Sequence, residues 1–288
     1  PPAYTHAPSA VTAFLASTAT KVAVYVMIRF IFTVFGIDHV FVDMGMGLIL
    51  MVLAVVAIFK CSYMATVQSN VKTVLAYSSV AQIGYMVLGL SLVSVSGLMA
   101  SMIHIFNHAL MKGALFMAVG AVFYRVGSVD IKDFAGLGRK MPLTMAAFTI
   151  AGLSIIGVPL TVGFVSKWYL VIAALEQDQW FVAALVLVGS LFAVIYIGRI
   201  IEAAYFQKLP ESRSSEDIKE VSWLMLVPMW VLVIANIYFG VDTSLTTEAA
   251  NSASEWLFQT NNMLENKAME GDVLEGRALE ERAQEVSS

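Results

Sequence analysis

Long apolar stretches alternate with short polar connections along most of the chain. Seven of them, at about 8–36, 43–65, 74–95, 98–123, 142–175, 181–206 and 222–241, reach the roughly 20 apolar residues that a helix needs to cross a bilayer core. The fifth is too long for one straight helix and contains Gly152, Gly157, Pro159 and Gly163. Proline removes a backbone donor and clashes with the preceding turn, so this stretch is read as a helix broken near Gly157-Val158-Pro159. Broken backbone at membrane depth is tolerated only where it is buried in protein or lines a wet cavity. The pattern predicts an all-α polytopic membrane protein of about seven transmembrane helices over residues 1–242. A polar, glutamate-rich tail follows over 243–288, with Trp256, Leu257 and Phe258 expected on the membrane surface and disorder beyond Asn261.

Composition agrees with this reading. Hydrophobic residues make up 59% of the chain and charged residues 13%, against about 25% charged in a soluble domain. Mean hydropathy is +0.78. A lone cysteine, Cys61, rules out a disulfide framework or a thiolate metal site. A net charge of −4 provides no basic field for nucleic acid. The chain opens on Pro1-Pro2-Ala3-Tyr4 with neither methionine nor signal peptide, and is read as a segment internal to a longer protein.

Charge placement sets an expected orientation. The connections after spans two, four and six carry Lys72, then Arg125, Lys132, Arg139 and Lys140, then Lys208, Arg213 and Lys219; those after spans one, three and five carry no Lys or Arg. The positive-inside rule puts the basic set and Pro1 in the cytoplasm and the tail outside. Trp180, Trp223 and Tyr238 sit near span ends, as interfacial aromatics do.

Ionisable side chains within spans are expensive and mark function by default. Lys21 lies mid-span among small residues, in Leu15-Ala16-Ser17-Thr18-Ala19-Thr20-Lys21, too deep to snorkel. The cost of keeping an ammonium charged away from water is what lets a buried lysine gain and lose a proton; the competing reading is a structural ion pair. His104, His108 and Lys112, at i, i+4 and i+8, form one stripe down a helix face, with Asn107 beside them. No acidic residue occurs from Met44 to Val129, so the stripe has no local carboxylate and reads as a proton wire of imidazoles and a lysine linked by water. Its rivals are polar groups satisfied within a packed bundle, or a metal site. The metal reading is poor: Ile105 stands where a His-Glu-x-x-His zinc motif needs glutamate, and no third ligand is evident. Lys167 follows the predicted break by about two turns, where transporters place ion sites. Lys60 is placed near a span end and snorkelling. Arg29 lies in the first span. Arg199 and Glu202, three residues apart, are read as a structural pair, and Lys72 as a loop residue anchoring the cytoplasmic face. No cofactor motif, quinone site, nucleophile–base pair or phosphate loop is visible.

Several of these segments resemble a known family in the right order. They are Ala7-Pro8-Ser9-Ala10-Val11 with Lys21; Lys72-Thr73-Val74-Leu75-Ala76-Tyr77-Ser78-Ser79-Val80-Ala81-Gln82-Ile83-Gly84-Tyr85; His104 through Phe116; and Gly157-Val158-Pro159 through Lys167. Over about residues 1–240 they are similar to the antiporter-like subunits shared by respiratory complex I, membrane-bound hydrogenases and Mrp multisubunit sodium/proton antiporters. Tyr4-Thr5-His6-Ala7-Pro8, Val80-Ala81-Gln82-Ile83-Gly84 and a lysine at 167 resemble the D-type component of the Mrp antiporter most; the similar complex I component usually has glutamate at the last position. The resemblance implies the second half of a fold of about fourteen spans built on two inverted repeats. It also implies a multi-pass place in the cell (inner) membrane and a hetero-oligomeric complex with other membrane subunits. Protons and sodium are the implied ions, and no cofactor is implied. Lys21 then matches the central-axis lysine of the eighth span, His104, His108 and Lys112 the linker between half-channels, and Lys167 the terminal lysine of the broken twelfth span. Two alternatives stay open: a proton-pumping subunit of a redox-driven complex, and a structural scaffold whose lysines are fixed.

Overall fold

The structure, a computed structural model, describes residue 4, residues 7–209 and residues 218–264. Arg213, the Pro1, Thr5 and His6 positions and residues 265–288 lie outside these. The α-helices longer than four residues are α1 (Ser9–Ser17), α2 (Ala19–Arg29), α3 (Met46–Val67), α4 (Val71–Ser91), α5 (Val95–Val126), α6 (Pro142–Ile156), α7 (Val162–Glu176), α8 (Trp180–Phe206), α9 (Trp223–Val241) and α10 (residues 244–264). Short π turns, Phe30–Phe35 and His39–Asp43, lie between α2 and α3.

Six stretches are long and apolar enough to cross a bilayer: Ser9–Phe35, which comprises α1, α2 and the first π turn, then α3, α4, α5, α8 and α9. The seventh expected span is the broken one. Helices α6 and α7 have 15 residues each, about 22 Å apiece, too short to cross singly and long enough end to end.

Helix α5 is the axis. It is 32 residues long and carries buried positions on nearly all sides. Small residues let its neighbours approach. A Cβ on Gly113 would meet Leu232 Cδ1 at 2.7 Å and Ser17 Oγ at 3.2 Å, which puts α1 and α9 against this level of α5. Helix α4 is buried along most of its length, whereas α3 and α9 expose apolar side chains outward, as lipid-facing helices do.

The basic connections are tied together at one end of the bundle. Val71 N–H donates to the Val129 carbonyl and Ile131 N–H to the Ser69 carbonyl, each at 2.8 Å. Arg125 Nη2 donates to the Glu220 carbonyl at 2.6 Å. The Glu220 carboxylate accepts from Leu143 N–H at 2.8 Å and Thr144 Oγ1 at 2.5 Å. An anion at the start of α6 is where the helix dipole favours one.

Two expectations change here. Lys72 is not a loop residue: Asn70 caps α4 by accepting from Thr73 N–H at 3.2 Å, so Lys72 falls in the first helical turn. It is buried, donating to the Ala7 carbonyl at 3.2 Å with its ammonium 5.1 Å from the Phe123 ring centre. The start of the tail packs on the protein: Leu257 is buried in the cluster around Ile28 and Phe32, and Phe258 meets Phe32 edge-on at 5.1 Å. Asn261 Oδ1 accepts from Ile37 N–H at 2.8 Å, and Arg29 lies over the Trp256 ring. Of the three tail residues expected at the membrane surface, Trp256 is the exposed one.

Candidate functional site

Two of the buried lysines, Lys21 and Lys167, sit where helices fail. Between α1 and α2 the first span breaks at Thr18, whose φ of −120° and ψ of −60° leave the helical region. Two hydroxyls bond backward there, Ser17 Oγ to the Ala13 carbonyl at 2.5 Å and Thr18 Oγ1 to the Phe14 carbonyl at 2.8 Å. Such back-bonding competes with the helical ladder and bends it. Lys21, in the first turn of α2, reaches back so that Nζ donates to the Ala16 carbonyl.

The second break spans Gly157 to Thr161. Gly157 ends α6 at a φ of +96°, a left-handed conformation that glycine adopts without strain. Pro159 then prevents the helix from continuing. Gly163 is required by proximity: a Cβ there would lie 1.7 Å from the Ser154 carbonyl oxygen. Lys167 Nζ reaches back to the carbonyls of Ile155 at 2.8 Å and Ile156 at 3.0 Å, the last residues of α6. In both breaks an ammonium caps the C-terminal end of the preceding half-helix, where unpaired carbonyls and the helix dipole supply negative partial charge. This is how the lysines are held without carboxylates.

Lys112 lies on an unbroken helix yet is fully buried. Its Nζ donates to the Leu75 carbonyl and to Ser78 Oγ, both at 2.9 Å, and Ser78 Oγ meets Tyr196 Oη at 3.1 Å. Between Lys112 and Lys167 run the two histidines. Their rings stack, centres 5.9 Å apart and planes within 3°. His104 Nδ1 shares a hydrogen bond with Ser166 Oγ at 2.7 Å, one residue before Lys167. Tyr85 joins the ends: its ring centre is 6.0 Å from that of His104 and 5.2 Å from Lys167 Nζ. Asn107 Nδ2 donates to the Val162 carbonyl at 2.8 Å.

The stripe is not saturated by protein. His104 Nε2, both nitrogens of His108, Asn107 Oδ1 and Gln82 Oε1 are buried and have no hydrogen-bond partner among the described residues. Buried polar groups are ordinarily paired with protein or water, so this row is suited to a chain of waters. Its groups donate and accept, which is what stepwise proton transfer needs. No group of metal-ligating side chains occurs among the described residues. A cavity of about 780 Å³ lies between α1, α5 and α9, with mostly apolar walls including Phe14, Phe116 and Pro228 and none of the row's residues in its lining.

Five predicted residues, Lys21, His104, His108, Lys112 and Lys167, are thus gathered along α5 and the two breaks that flank it. The others are elsewhere. Lys60 is exposed on α3. Arg199 donates to the Thr66 carbonyl on α3 and forms no ion pair with Glu202 among the described residues, so the predicted pair is replaced by a helix-to-carbonyl tie. Ser78, Gln82, Tyr85 and Ser166 were missed as site residues. Their signal was available: Ser78, Gln82 and Tyr85 recur at i, i+4 and i+7 on one helix face, a polar stripe within a span.

The fold and site define a polytopic helical membrane protein whose broken helices present carbonyls to buried lysines, an arrangement that transporters also use. The match to known proteins is specific. Residues 1–193 match the family described as NADH:quinone oxidoreductase/Mrp antiporter, TM, and the chain belongs to that family. It is 40% identical over 257 residues to an NADH-quinone oxidoreductase subunit N from Desulforudis audaxviator, covering 84% of this chain and 50% of that protein. It is 31% identical over 267 residues to Na(+)/H(+) antiporter subunit A1 of Staphylococcus haemolyticus, covering 84% of this chain and 32% of that protein. The fold superposes on a chain of the Mrp complex from Dietzia sp. DQ12-45-1b with a TM-score of 0.80 at 25% identity, over 89% of this chain and 55% of that one. The chain spans about half the length of the subunit N relatives it matches.

Proposed function

We propose that this chain is the proton-carrying part of an antiporter-like subunit, in which protons pass between Lys21 and Lys167 by way of Lys112, His108 and His104. The observation that carries this reading is the pairing of three buried lysines with backbone carbonyls, joined by stacked imidazoles whose nitrogens are largely unpartnered. A structural lysine in a membrane is expected to be neutralised by a carboxylate; these are held by dipoles, which favour the charge without fixing it. Charge on one lysine raises the cost of charge on the next, so the row passes charge along stepwise.

The driver is the finer part of the proposal. The subunit N relatives support a redox-driven complex, because identity to the one from Desulforudis audaxviator is 40% against 31% for the antiporter subunit. The fold match to the Mrp complex supports the second reading, a sodium/proton antiporter. In either, the partners are other membrane subunits, the basic connections face the cytoplasm and the tail lies outside.

Inside-out vesicles holding the native complex, followed with an acid-sensing dye, test both levels. Lys167→Ala is expected to abolish proton movement while the complex still assembles; wild-type transport by that variant would sink the path. Sodium-triggered collapse of an imposed gradient selects the antiporter, and gradient formation on adding a reductant selects the redox-driven complex.

A further inference from the structure

Helix α9 is strongly apolar and faces outward over much of its surface, yet it buries one amide. Asn236 has no exposed surface, and neither its oxygen nor its nitrogen has a hydrogen-bond partner among the described residues. No other amide, aliphatic hydroxyl or charged side chain occurs between Trp223 and Val241. Leucine has nearly the same shape, and replacing an unpartnered buried polar group by an apolar one of equal shape is neutral or stabilising. Packing alone therefore does not explain an asparagine here.

Its surroundings do. Asn236 lies on the buried face that also carries Leu226, Met229 and Val233. One turn before it, Leu232 rests on Gly113 of α5; one turn after it, a Cβ on Gly240 would lie 2.6 Å from the Leu160 carbonyl oxygen, at the second break. Phe239 stacks edge-on against Phe106 at 5.2 Å. Asn236 is thus set between the middle of α5 and the Leu160–Thr161 backbone. On α5 at this level stands Asn107, which spends its nitrogen on the Val162 carbonyl and leaves Oδ1 unpartnered.

We propose that Asn236 is a positioning residue for the proton path: with Asn107 it holds water against the second break, making α9 a third polar wall of the path. The inference rests on the proton-path reading. An amide suits the task because it donates and accepts at once without carrying charge. Water held there ties Asn107 to the start of α7, the helix that carries Ser166 and Lys167.

The test uses the native complex in vesicles and compares Asn236→Leu, Asn236→Ala and Asn236→Ser, with Lys167→Ala as control. Asn236→Leu is expected to slow proton movement about tenfold, the rate equivalent of losing one good hydrogen bond, while the complex melts at the same or a higher temperature. Asn236→Ser keeps a hydroxyl and leaves room for water, and is expected to restore the rate to within about threefold of wild type, as a polar group that retains a bridging water does. Asn236→Ala is held to the same loss of rate as leucine, though not to its melting temperature because it opens a cavity, and replaces it if leucine prevents assembly. Wild-type rates in leucine or alanine, with Lys167→Ala inactive, overturn this inference and leave the path standing. Slow transport that serine does not rescue assigns Asn236 to packing and also overturns it. Full activity of Lys167→Ala would instead remove the reading on which it rests.

Discussion

The two helix breaks do the same thing with different chemistry. Each ends a half-helix, and each lets a lysine in the following half-helix return to the carbonyls left behind, Lys21 to Ala16 and Lys167 to Ile155 and Ile156. The second is built from backbone constraint: Gly157 at positive φ, Pro159 without a donor, and Gly163 where no side chain fits. The first has neither glycine nor proline anywhere from Ser9 to Phe35. It is held by Ser17 and Thr18 hydroxyls bonding backward and by the lysine itself. A break made of backbone persists whatever its neighbours do. A break made of side-chain hydrogen bonds is conditional, because each of them is worth only about 1 kcal/mol net.

One added methyl group beside each break is expected to have very different effects. Gly163→Ala puts a Cβ 1.7 Å from the Ser154 carbonyl oxygen and 2.7 Å from its carbonyl carbon, backbone atoms that cannot rotate away. The expected loss is about 3 kcal/mol or more, seen as a lower melting temperature of the complex or as failure of this subunit to enter it. Gly113→Ala faces the first break, and there the new Cβ meets Leu232 Cδ1 at 2.7 Å and Ser17 Oγ at 3.2 Å, both ends of side chains. About 1 kcal/mol is expected, near the low end for overpacking. Equal losses at the two sites would show that the first break is as rigid as the second.

What could be read from the chain follows the same division. Proline and glycine in an apolar run have one structural meaning, so the second break and the place of Lys167 beside it are legible, as is the shared face of His104, His108 and Lys112 from its four-residue spacing. Serine and threonine in a span bond to their own helix whether or not it breaks, so Ser17-Thr18 carried no distinct signal and the first span read as one helix. The wall opposite the stripe shows its period in the sequence but not what it faces. Ser78, Gln82 and Tyr85 matter only because α4 packs on α5, and α4 is buried nearly all round, so its polar face is not marked by exposure. Arg199 was misassigned because a partner three residues away in sequence was preferred to the Thr66 carbonyl 133 residues away.

A middle-sized effect addresses the first break directly. Thr18→Val keeps the branched shape and deletes the bond to the Phe14 carbonyl. At the junction Thr18 N–H donates to the Phe14 carbonyl, and Lys21 and Val22 N–H to the Thr18 carbonyl, which leaves the Ala16 carbonyl to the lysine. Without the hydroxyl, the regular ladder is expected to compete for that carbonyl and loosen Lys21. Proton movement should fall several-fold, about the effect of one weakened hydrogen bond, with thermal stability unchanged within about 0.5 kcal/mol. Vesicle transport and a melting curve on the same preparation check it, and unchanged transport would mean that Lys21 holds the break without help from Thr18.

The smallest effect separates the two breaks by sign. Leu160 sits in the second break at a φ of +70° with its side chain 67% exposed. A non-glycine residue held there carries strain of about 1 kcal/mol, and little packing is lost by removing a side chain that is mostly outside the bundle. Leu160→Gly is therefore expected to leave the complex as stable or to stabilise it slightly, by up to about 0.5 kcal/mol after glycine's greater unfolded-state freedom is subtracted. Thr18→Gly is expected to move the other way. Thr18 has a negative φ and no strain to release, so glycine there removes the back-bond and adds chain freedom, for a loss of about 1 kcal/mol. Melting temperatures of the two glycine variants decide the matter. Opposite shifts support a strained backbone break facing an unstrained, side-chain break; shifts in the same direction would mean that both breaks are held by one kind of force.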